Sequence, residues 1–234
     1  MESADRLRHR RLDRASGIVS GLTDLQQEVA RILFGLPEAA GFALAGGSAL
    51  VALGVVDRPT RDLDVFVAAR AGDPPGDVGP LAATFSAALV GSGWDVDLAR
   101  QHQTFVRLVA NKDGDSIEVD LAVDSPPIFP VEVLDGIPTL APQDLAARKV
   151  LAVLDRAEGR DFTDLWTLAR EHGKAETIVW AHKLDDGVTA SQIAVAFDQL
   201  ARLRDDDLPC DSPDRPIVRE WFTTWSEQLR STPN

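Results

Sequence analysis

Two aspartates separated by one residue are the first feature of this sequence that can do chemistry. Asp62 and Asp64 lie in the run DLDVFVA (62–68), whose alternation predicts a β-strand. Residues two apart on a strand face the same side, so the two carboxylates project together while Leu63 packs inward. Neighbouring carboxylates repel each other unless a cation lies between them, and oxygen ligands of this kind suit Mg²⁺. The pattern predicts a divalent metal site, with a solvated strand face as the alternative.

A third carboxylate follows in the run SIEVDLAV (116–123). Its apolar residues alternate strictly, which predicts a strand with Glu118 and Asp120 together on the opposite face. If that strand lies beside the 62–68 strand, Asp120 completes a three-carboxylate site; Asp97 is another candidate for the third position. Two metal ions held in such a site would align an attacking oxygen with a leaving pyrophosphate. The alternative is that Asp120 is an exposed strand residue.

A glycine pair precedes the acidic strand. Gly46, Gly47 and Ser48 stand between a short apolar run (42–45), predicted to be a buried strand, and the helical segment SALVALGVV. Backbone N–H groups at such a helix start would point at an anion, and glycine lets the backbone approach it closely. The GxxxxGK[ST] pattern of a Walker A loop is absent. A tight turn with Ser48 as the helix N-cap is the alternative explanation.

A lysine in the second half of the chain is the remaining candidate for chemistry. Helical spacing over 143–157 places Lys149 away from the apolar face, next to Arg148. A cation here can hold a triphosphate as a point charge. Asp161 and Asp164 lie three residues apart on one predicted helix face, so Asp164 can position Lys149 or hydrogen-bond a nucleotide. The alternative is an interhelical ion pair, which contributes little if it is exposed.

The elements that must position these residues change character near residue 140. Before it, short strands and helices interleave without regular βαβ alternation, which predicts an α/β (α+β) domain with a mixed sheet. After it, five segments with helical spacing predict a helical C-terminal domain. We therefore expect residues 1–140 to form one domain, with a basic N-terminal arm at RLRHRRLDR (6–14), and residues 141–234 to form another.

Turn and capping signals delimit the predicted elements. Thr23 or Asp24 can cap a helix that runs to about Leu36, and NKDGD (111–115) is typical of a hairpin turn between two strands. The segment AGDPPGDVGP (71–80) is predicted to be a loop. One edge strand is expected in VEVLDGIPTL, and helices are expected over 81–90, 143–157, 162–172, 175–184, 191–204 and 213–230.

Composition narrows the class of protein. The formal net charge is −13, from 24 basic and 37 acidic residues, whereas a general nucleic-acid-binding surface is basic. There is no 18-residue apolar stretch and no apolar signal core behind the charged start, so we expect neither a membrane span nor secretion. One cysteine and four scattered histidines predict no internal disulfide and no zinc site. A cytoplasmic protein with carboxylate metal ligands fits best.

The order of these motifs resembles a known superfamily. Gly-Gly-Ser, a short helix, the string Arg58-x-Thr60-x-Asp62-x-Asp64 and a later strand Asp are similar to the DNA polymerase β-like nucleotidyltransferases. The segment RKVLAVLDRAEGRDFTDL (148–165) makes the fuller pattern similar to the AbiEii/AbiGii-type toxins, which include the MenT toxins of toxin–antitoxin pairs. The thirteen residues between the Gly-Gly-Ser turn and the acidic pair are slightly more than in the commonest form.

The resemblance implies a nucleotidyltransferase fold and transfer of a nucleoside monophosphate from an NTP to a hydroxyl, with release of pyrophosphate. The metal, Mg²⁺ or alternatively Mn²⁺, would be held by Asp62, Asp64 and Asp120. The implied catalytic residues are Asp62, Asp64, Asp120, Lys149 and Asp164. The implied nucleotide-binding residues are Gly46, Gly47, Ser48, Arg148 and Lys149.

The same resemblance implies the acceptor and a partner. The acceptor would be the 3′ end of tRNA, which would block aminoacylation and inhibit translation, and a cognate antitoxin would neutralise the protein. Thr60 lies where that branch has a Ser or Thr, so its modification near the acidic pair is a hypothesis. Two alternatives stay open: a nucleotidyltransferase acting on a small cationic acceptor such as an aminoglycoside, which the acidic composition favours, and a nucleotide-binding module without turnover.

Overall fold

The computed structural model describes residues 21–68 and 76–231. It divides into two compact units, the first ending at Ala141 and the second beginning at Pro142. The predicted basic arm at 6–14 and positions 71–75 of the predicted loop lie outside the described residues. No helix in the described part of the chain is long and apolar enough to cross a membrane.

A mixed sheet with the strand order β3-β4-β5-β2-β1-β7-β6 forms the centre of the first unit. Its strands are β1 (Phe42–Ala45), β2 (Asp62–Ala68), β3 (Asp95–His102), β4 (Phe105–Lys112), β5 (Asp115–Asp124), β6 (Glu132–Leu134) and β7 (Ile137–Thr139). β2 is antiparallel to β1 and parallel to β5, while β1 and β7 are parallel. β4 is antiparallel to both β3 and β5, as β6 is to β7. The predicted mixed sheet is confirmed.

Three α-helices accompany this sheet in the described residues: α1 (Asp24–Phe34), α2 (Gly46–Ala52) and α3 (Gly79–Gly91). Thr23 caps α1 and forms a capping box with Gln26, which satisfies two backbone donors at the helix start. The helix ends at Phe34 rather than at Leu36. Leu36 is extended because it precedes Pro37, whose ring disfavours helical backbone in the residue before it.

The segment VEVLDGIPTL forms two short strands instead of the one edge strand that its pattern predicts. β6 and β7 are joined by a tight turn in which Asp135 has a φ of 49° and Gly136 a φ of 80°. Asp-Gly is a preferred sequence for such turns because both positions tolerate positive φ. β7 lies next to β1, and β6 forms the edge of the sheet.

The second unit is helical in its described residues. It contains α4 (Pro142–Asp155), α5 (Gly159–His172), α6 (Lys174–Leu184), α7 (Ala190–Asp198) and α8 (Asp214–Ser231). Its core is aromatic, with Phe222 in edge-to-face contact with both Phe162 and Phe197. Trp166 and Trp225 belong to this core.

The helix expected over 191–204 is shorter in the structure. α7 ends at Asp198, and a 3₁₀ turn follows over Gln199–Arg202. The guanidinium of Arg219 in α8 donates to the carbonyl oxygens of Leu200 and Leu203, each at 2.7 Å. These carbonyls therefore find their hydrogen bonds outside a continuing helix, which the local sequence does not reveal.

Candidate active site

Four carboxylates lie on one face of the first unit's sheet. β2 and β5 are parallel neighbours in which Asp62 pairs with Glu118 and Asp64 with Asp120. Residues in register on adjacent strands project to the same side, so two acidic pairs stand next to each other. Asp97 is two strands away from β5, on β3, where it accepts a hydrogen bond from Asn111 at 3.2 Å. The structure thus places Asp120, and not Asp97, beside the β2 acids.

The glycine pair lies directly against Asp64. Gly46 has a φ of 54°, and a Cβ atom at this position would overlap the Asp64 carboxylate. The Gly47 N–H donates to Asp64 Oδ2 at 3.2 Å. Glycine is required here for both reasons, because the backbone conformation and the close approach each exclude a side chain. The start of α2 and the acidic strand β2 are therefore held as one local structure.

Ser48 connects the same two elements from inside the protein. Its buried hydroxyl donates to the Ala45 carbonyl at 3.0 Å and accepts from the Asp64 N–H at 3.1 Å. α2 begins at Gly46, with Ala45 as its N-cap, and Ser48 lies inside the first turn. The alternative explanation of Ser48 as the N-cap is wrong, because its oxygen is directed at β2 instead of at the free N–H groups of the helix start.

The residues that precede β2 complete this region. The Thr60 hydroxyl donates to Asp62 Oδ1 at 2.6 Å, and the Thr60 carbonyl accepts from the buried side chain of Gln26 at 2.8 Å. A Cβ atom on Gly47 would lie 3.2 Å from Nη2 of Arg58 and 3.5 Å from Oγ1 of Thr60. Arg58 and Thr60 are thus close neighbours of the glycine turn, and Arg58 contributes a positive charge there.

Asp120 is bound by an arginine that belongs to none of the sequence motifs. Arg107 on β4 donates from Nε to Asp120 Oδ1 at 2.7 Å and from Nη2 to Oδ2 at 2.6 Å. Its Nη1 lies 3.1 Å from a carboxylate oxygen of Glu118. The hydrogen bond with Asp120 raises the pKa of Arg107, so the group is charged at any physiological pH. Strand alternation in TFVRLVA puts Arg107 on the face opposite the buried Val106 and Leu108, but only strand pairing shows which acids it meets.

The donor chemistry of this face fits a hard divalent cation in part. Asp62 and Asp64 offer carboxylate oxygens, the ligands that Mg²⁺ and Mn²⁺ prefer. Within residues 21–68 and 76–231, no group of three or more His, Cys, Asp or Glu side chains is arranged to hold a metal ion. Both oxygens of Asp120 are bound by Arg107 instead.

The second unit contains a buried cluster of charges around Lys149. Lys149 Nζ lies 3.0 Å from Asp161 Oδ1 and 2.9 Å from Asp164 Oδ2. Asp161 is also bound by two guanidinium nitrogens of Arg156, at 2.8 and 2.9 Å. The Lys149 side chain is 7% exposed and the two aspartates are almost fully buried, so this is not an exposed ion pair. Arg148 is next to Lys149 on α4 and is half-buried.

The charge state of Asp161 follows from two opposing effects. Burial alone raises the pKa of its carboxyl, but the hydrogen bonds from Arg156 and the positive charge of Lys149 outweigh burial and hold the pKa below its ordinary value. Asp161 therefore stays ionised and balances two cations. The sequence alone does not assign a role to Asp161, because its three-residue spacing from Asp164 does not show that both acids bind Lys149.

Two crystal structures of Helicobacter pylori proteins share the fold of this chain. JHP933 is 16% identical, with a TM-score of 0.55 over 89% of this chain and 95% of its own. A second protein, assigned as a nucleotidyltransferase, is 17% identical, with a TM-score of 0.56 over 91% of this chain and 100% of its own. The antibiotic-resistance factor ANT(2'')-Ia is 13% identical over 70% of this chain and 94% of its own, and its TM-score of 0.46 supports no inference.

No curated protein sequence matches this chain. A family model does: the one described as nucleotidyl transferase AbiEii toxin, type IV toxin–antitoxin system, matches residues 31–220. That span contains the motifs on which the resemblance rests: the glycine turn, the string from Arg58 to Asp64, Asp120 and the segment 148–165. Because the match includes well over half of the sequence, this chain belongs to the AbiEii nucleotidyl transferase toxin family.

Proposed function

We propose that this protein transfers a nucleoside monophosphate from an NTP to a hydroxyl group, with release of pyrophosphate, at the acidic face of β2 and β5. The observation that supports this proposal is that Asp64 connects the glycine turn, which could bind phosphate, to the acidic strand, which could bind the metal. It accepts from the Gly47 N–H, and its own N–H donates to Ser48. A turn where backbone can approach phosphate is thereby fixed against the acidic strand.

The residues of the first unit receive the following roles. Asp62 and Asp64 would hold Mg²⁺, or alternatively Mn²⁺, which would neutralise and orient the triphosphate. Gly46 and Gly47 let the backbone approach the phosphates. Ser48, whose hydroxyl is bound within the protein, keeps the turn on β2. Asp120 would serve as the third metal ligand or as the base for the acceptor hydroxyl.

In the second unit, we propose Lys149, Arg148 and Asp164 as further catalytic and nucleotide-binding residues. Lys149 would brace the triphosphate as a fixed positive charge. The 2.9 Å contact with Asp164 and the 3.0 Å contact with Asp161 support a positioning role for both acids, because they restrict the lysine to one conformation. Arg148, adjacent on α4, would add a second charge for the nucleotide.

The proposed acceptor is the 3′ end of tRNA. Added nucleotides there would prevent aminoacylation and so inhibit translation, which agrees with membership in a toxin family. A cognate antitoxin is the expected protein partner, since the family belongs to a type IV toxin–antitoxin system. Substrate and target would then meet in the cytoplasm.

The decisive test is transfer of label. Purified protein with Mg²⁺ and total tRNA is incubated with each labelled NTP in turn, next to an Asp62→Asn/Asp64→Asn double variant. Asp97→Asn is the matched control, because this exposed acid lies on β3, away from the β2 carboxylates. Label on tRNA with the wild type and with Asp97→Asn, and none with the double variant, is the expected result.

A small cationic acceptor is the second candidate, favoured by the net charge of −13. Label on an aminoglycoside and none on tRNA would replace the tRNA proposal with this one. Absence of transfer to any acceptor, together with Mg²⁺–NTP binding in calorimetry, would instead indicate a nucleotide-binding module without turnover.

Thr60 is proposed as a site of modification. Its hydroxyl lies 2.6 Å from Asp62, so a phosphate or nucleotide on it would place negative charge beside the acidic pair and repel the triphosphate. Intact-mass measurement after coexpression with the antitoxin tests this idea. An unmodified Thr60 in fully inhibited protein would refute it.

A further inference from the structure

Arg107 occupies the place that a cation would take at Asp120. Its Nε and Nη2 each bind one oxygen of the carboxylate, so both oxygens of Asp120 face the guanidinium. Its Nη1 reaches Glu118 at 3.1 Å, and the charge of Asp62 also acts on it. One arginine is thus the counterion for the acids of two strands.

We propose that Arg107 is a positioning residue that competes with the divalent cation for Asp120. Asp120 would join the metal site only when Arg107 releases it. The metal alone should therefore bind weakly, and it should bind more tightly when a triphosphate is present to take up Arg107. This inference rests on the proposed function, because it takes the acidic face as the metal site.

Burial explains why Asp120 needs a partner at all times. Its side chain is 10% exposed, and an ionised carboxylate at that depth is costly unless a cation accompanies it. The Arg107 side chain is 39% exposed, so the guanidinium can turn away from the sheet without a buried charge being created on its own side. A divalent metal ion can therefore replace the Arg107 guanidinium at Asp120.

A triphosphate gives the released guanidinium a new partner. Arginine binds phosphate oxygens in the same two-pronged geometry that it uses for carboxylates. Arg107 can then pass from Asp120 to the incoming nucleotide while the metal takes its place. Asp120 thereby keeps a cation next to it throughout the exchange.

The test is Mn²⁺ binding to the full chain without nucleotide, measured by calorimetry. Arg107→Gln should tighten binding by about tenfold, because the guanidinium no longer occupies the Asp120 oxygens and the carboxylate is then available to the ion. Arg100→Gln is the matched control. Arg100 pairs with Arg107 in the strand register but donates to His102 at 3.2 Å, so its loss should change the affinity by less than about twofold.

A double variant separates competition at Asp120 from a general effect of charge. In an Asp120→Asn background, Arg107→Gln should produce no tightening, because the disputed ligand is absent. An equal gain in both backgrounds, or no gain in either, would overturn the proposal. Circular dichroism checks folding. If Arg107→Gln unfolds, Arg107→Lys decides: lysine keeps the charge but cannot bind both Asp120 oxygens in the two-pronged geometry of arginine, so Mn²⁺ binding should still tighten. An unchanged affinity would count against the proposal.

Binding and turnover are read separately. If no acceptor is labelled and the Mn²⁺ pattern holds, the proposed transfer fails while competition at Asp120 stands. If transfer occurs and the Mn²⁺ pattern is absent, Arg107 has no such role.

Discussion

At the scale of single residues, Asp64 and Asp161 each bind several groups at once. Asp64 accepts from the Gly47 N–H and, through its own N–H, binds Ser48. Asp161 accepts from Lys149 and Arg156 inside the second unit. Each aspartate holds several neighbouring groups in place. Substitution of one of these neighbours should therefore affect stability or activity more than the loss of a single hydrogen bond would.

Gly46→Ala should abolish nucleotide transfer while the protein stays folded. Both the positive φ and the overlap of the new Cβ with the Asp64 carboxylate force the turn away from β2. Gly93→Ala is the control, because Gly93 also has a positive φ, of 85°, but nothing lies within 4 Å of its Cβ position. Both variants should lose about 1 kcal/mol of unfolding free energy from backbone strain, and only Gly46→Ala should lose transfer. Equal activity in the two would refute the role of the turn.

Asp161→Asn should lower the free energy of unfolding by about 3 kcal/mol at neutral pH, because it leaves the buried Lys149 with Asp164 but without its second counterion and removes a partner of the half-exposed Arg156. Denaturant unfolding measures this. Asp207→Asn, which breaks the exposed pair with Arg204, is the control and should change little.

The same aspartate predicts a pH dependence. The folded-state pKa of Asp161 is below its ordinary value of 3.8, so its contribution is complete above that value and is lost as the pH falls towards the lowered pKa. The stability difference between wild type and Asp161→Asn should therefore be constant near neutral pH and shrink below about pH 4. A difference that grows on acidification would contradict the assigned charge state.

At the scale of elements, side-chain hydrogen bonds hold the segments that connect helices and strands. The turn before α2 is held by β2, and the segment after α7 is held by α8 through Arg219. Arg219 also binds Asp205, with contacts of 2.8 and 3.0 Å. Such side chains replace the regular backbone hydrogen bonds that end with a helix.

Arg219→Ala should destabilise the second unit by about 2–3 kcal/mol, because two carbonyl oxygens lose a charged donor. Denaturant unfolding measures the change. Arg204→Ala removes an exposed arginine that binds Asp207 and serves as the control with little expected effect. If the two variants unfold alike, Arg219 does not hold the segment after α7.

At the scale of the whole molecule, charge separates the candidate acceptors. With a net charge of −13 and a pI of about 4.7, the protein repels a polyanion and attracts a small cation over long distances. Raising the ionic strength from about 0.05 to 0.15 M shortens the reach of both effects. We expect KM for tRNA to stay level or fall, and KM for a cationic acceptor to rise. A steep rise of KM for tRNA would show that a basic surface dominates its binding.

The sequence by itself determined the local features of this protein. The period of two in DLDVFVA and SIEVDLAV identified strands with paired acids, and helical spacing identified the second half as helices. The motif order around Asp62, Asp64 and Lys149 was enough to indicate the AbiEii family, which the family model confirms. These features are encoded within short windows, so one sequence suffices to find them.

Only the tertiary structure decided which of these residues meet. Asp64 and Asp120 are 56 positions apart, and their register on parallel strands depends on pairing that neither run encodes. The same pairing brings Arg107 to Asp120, and burial of Lys149 depends on the packing of α4 against α5. Side-chain period specifies a face, but contact across that face is fixed by the arrangement of distant segments.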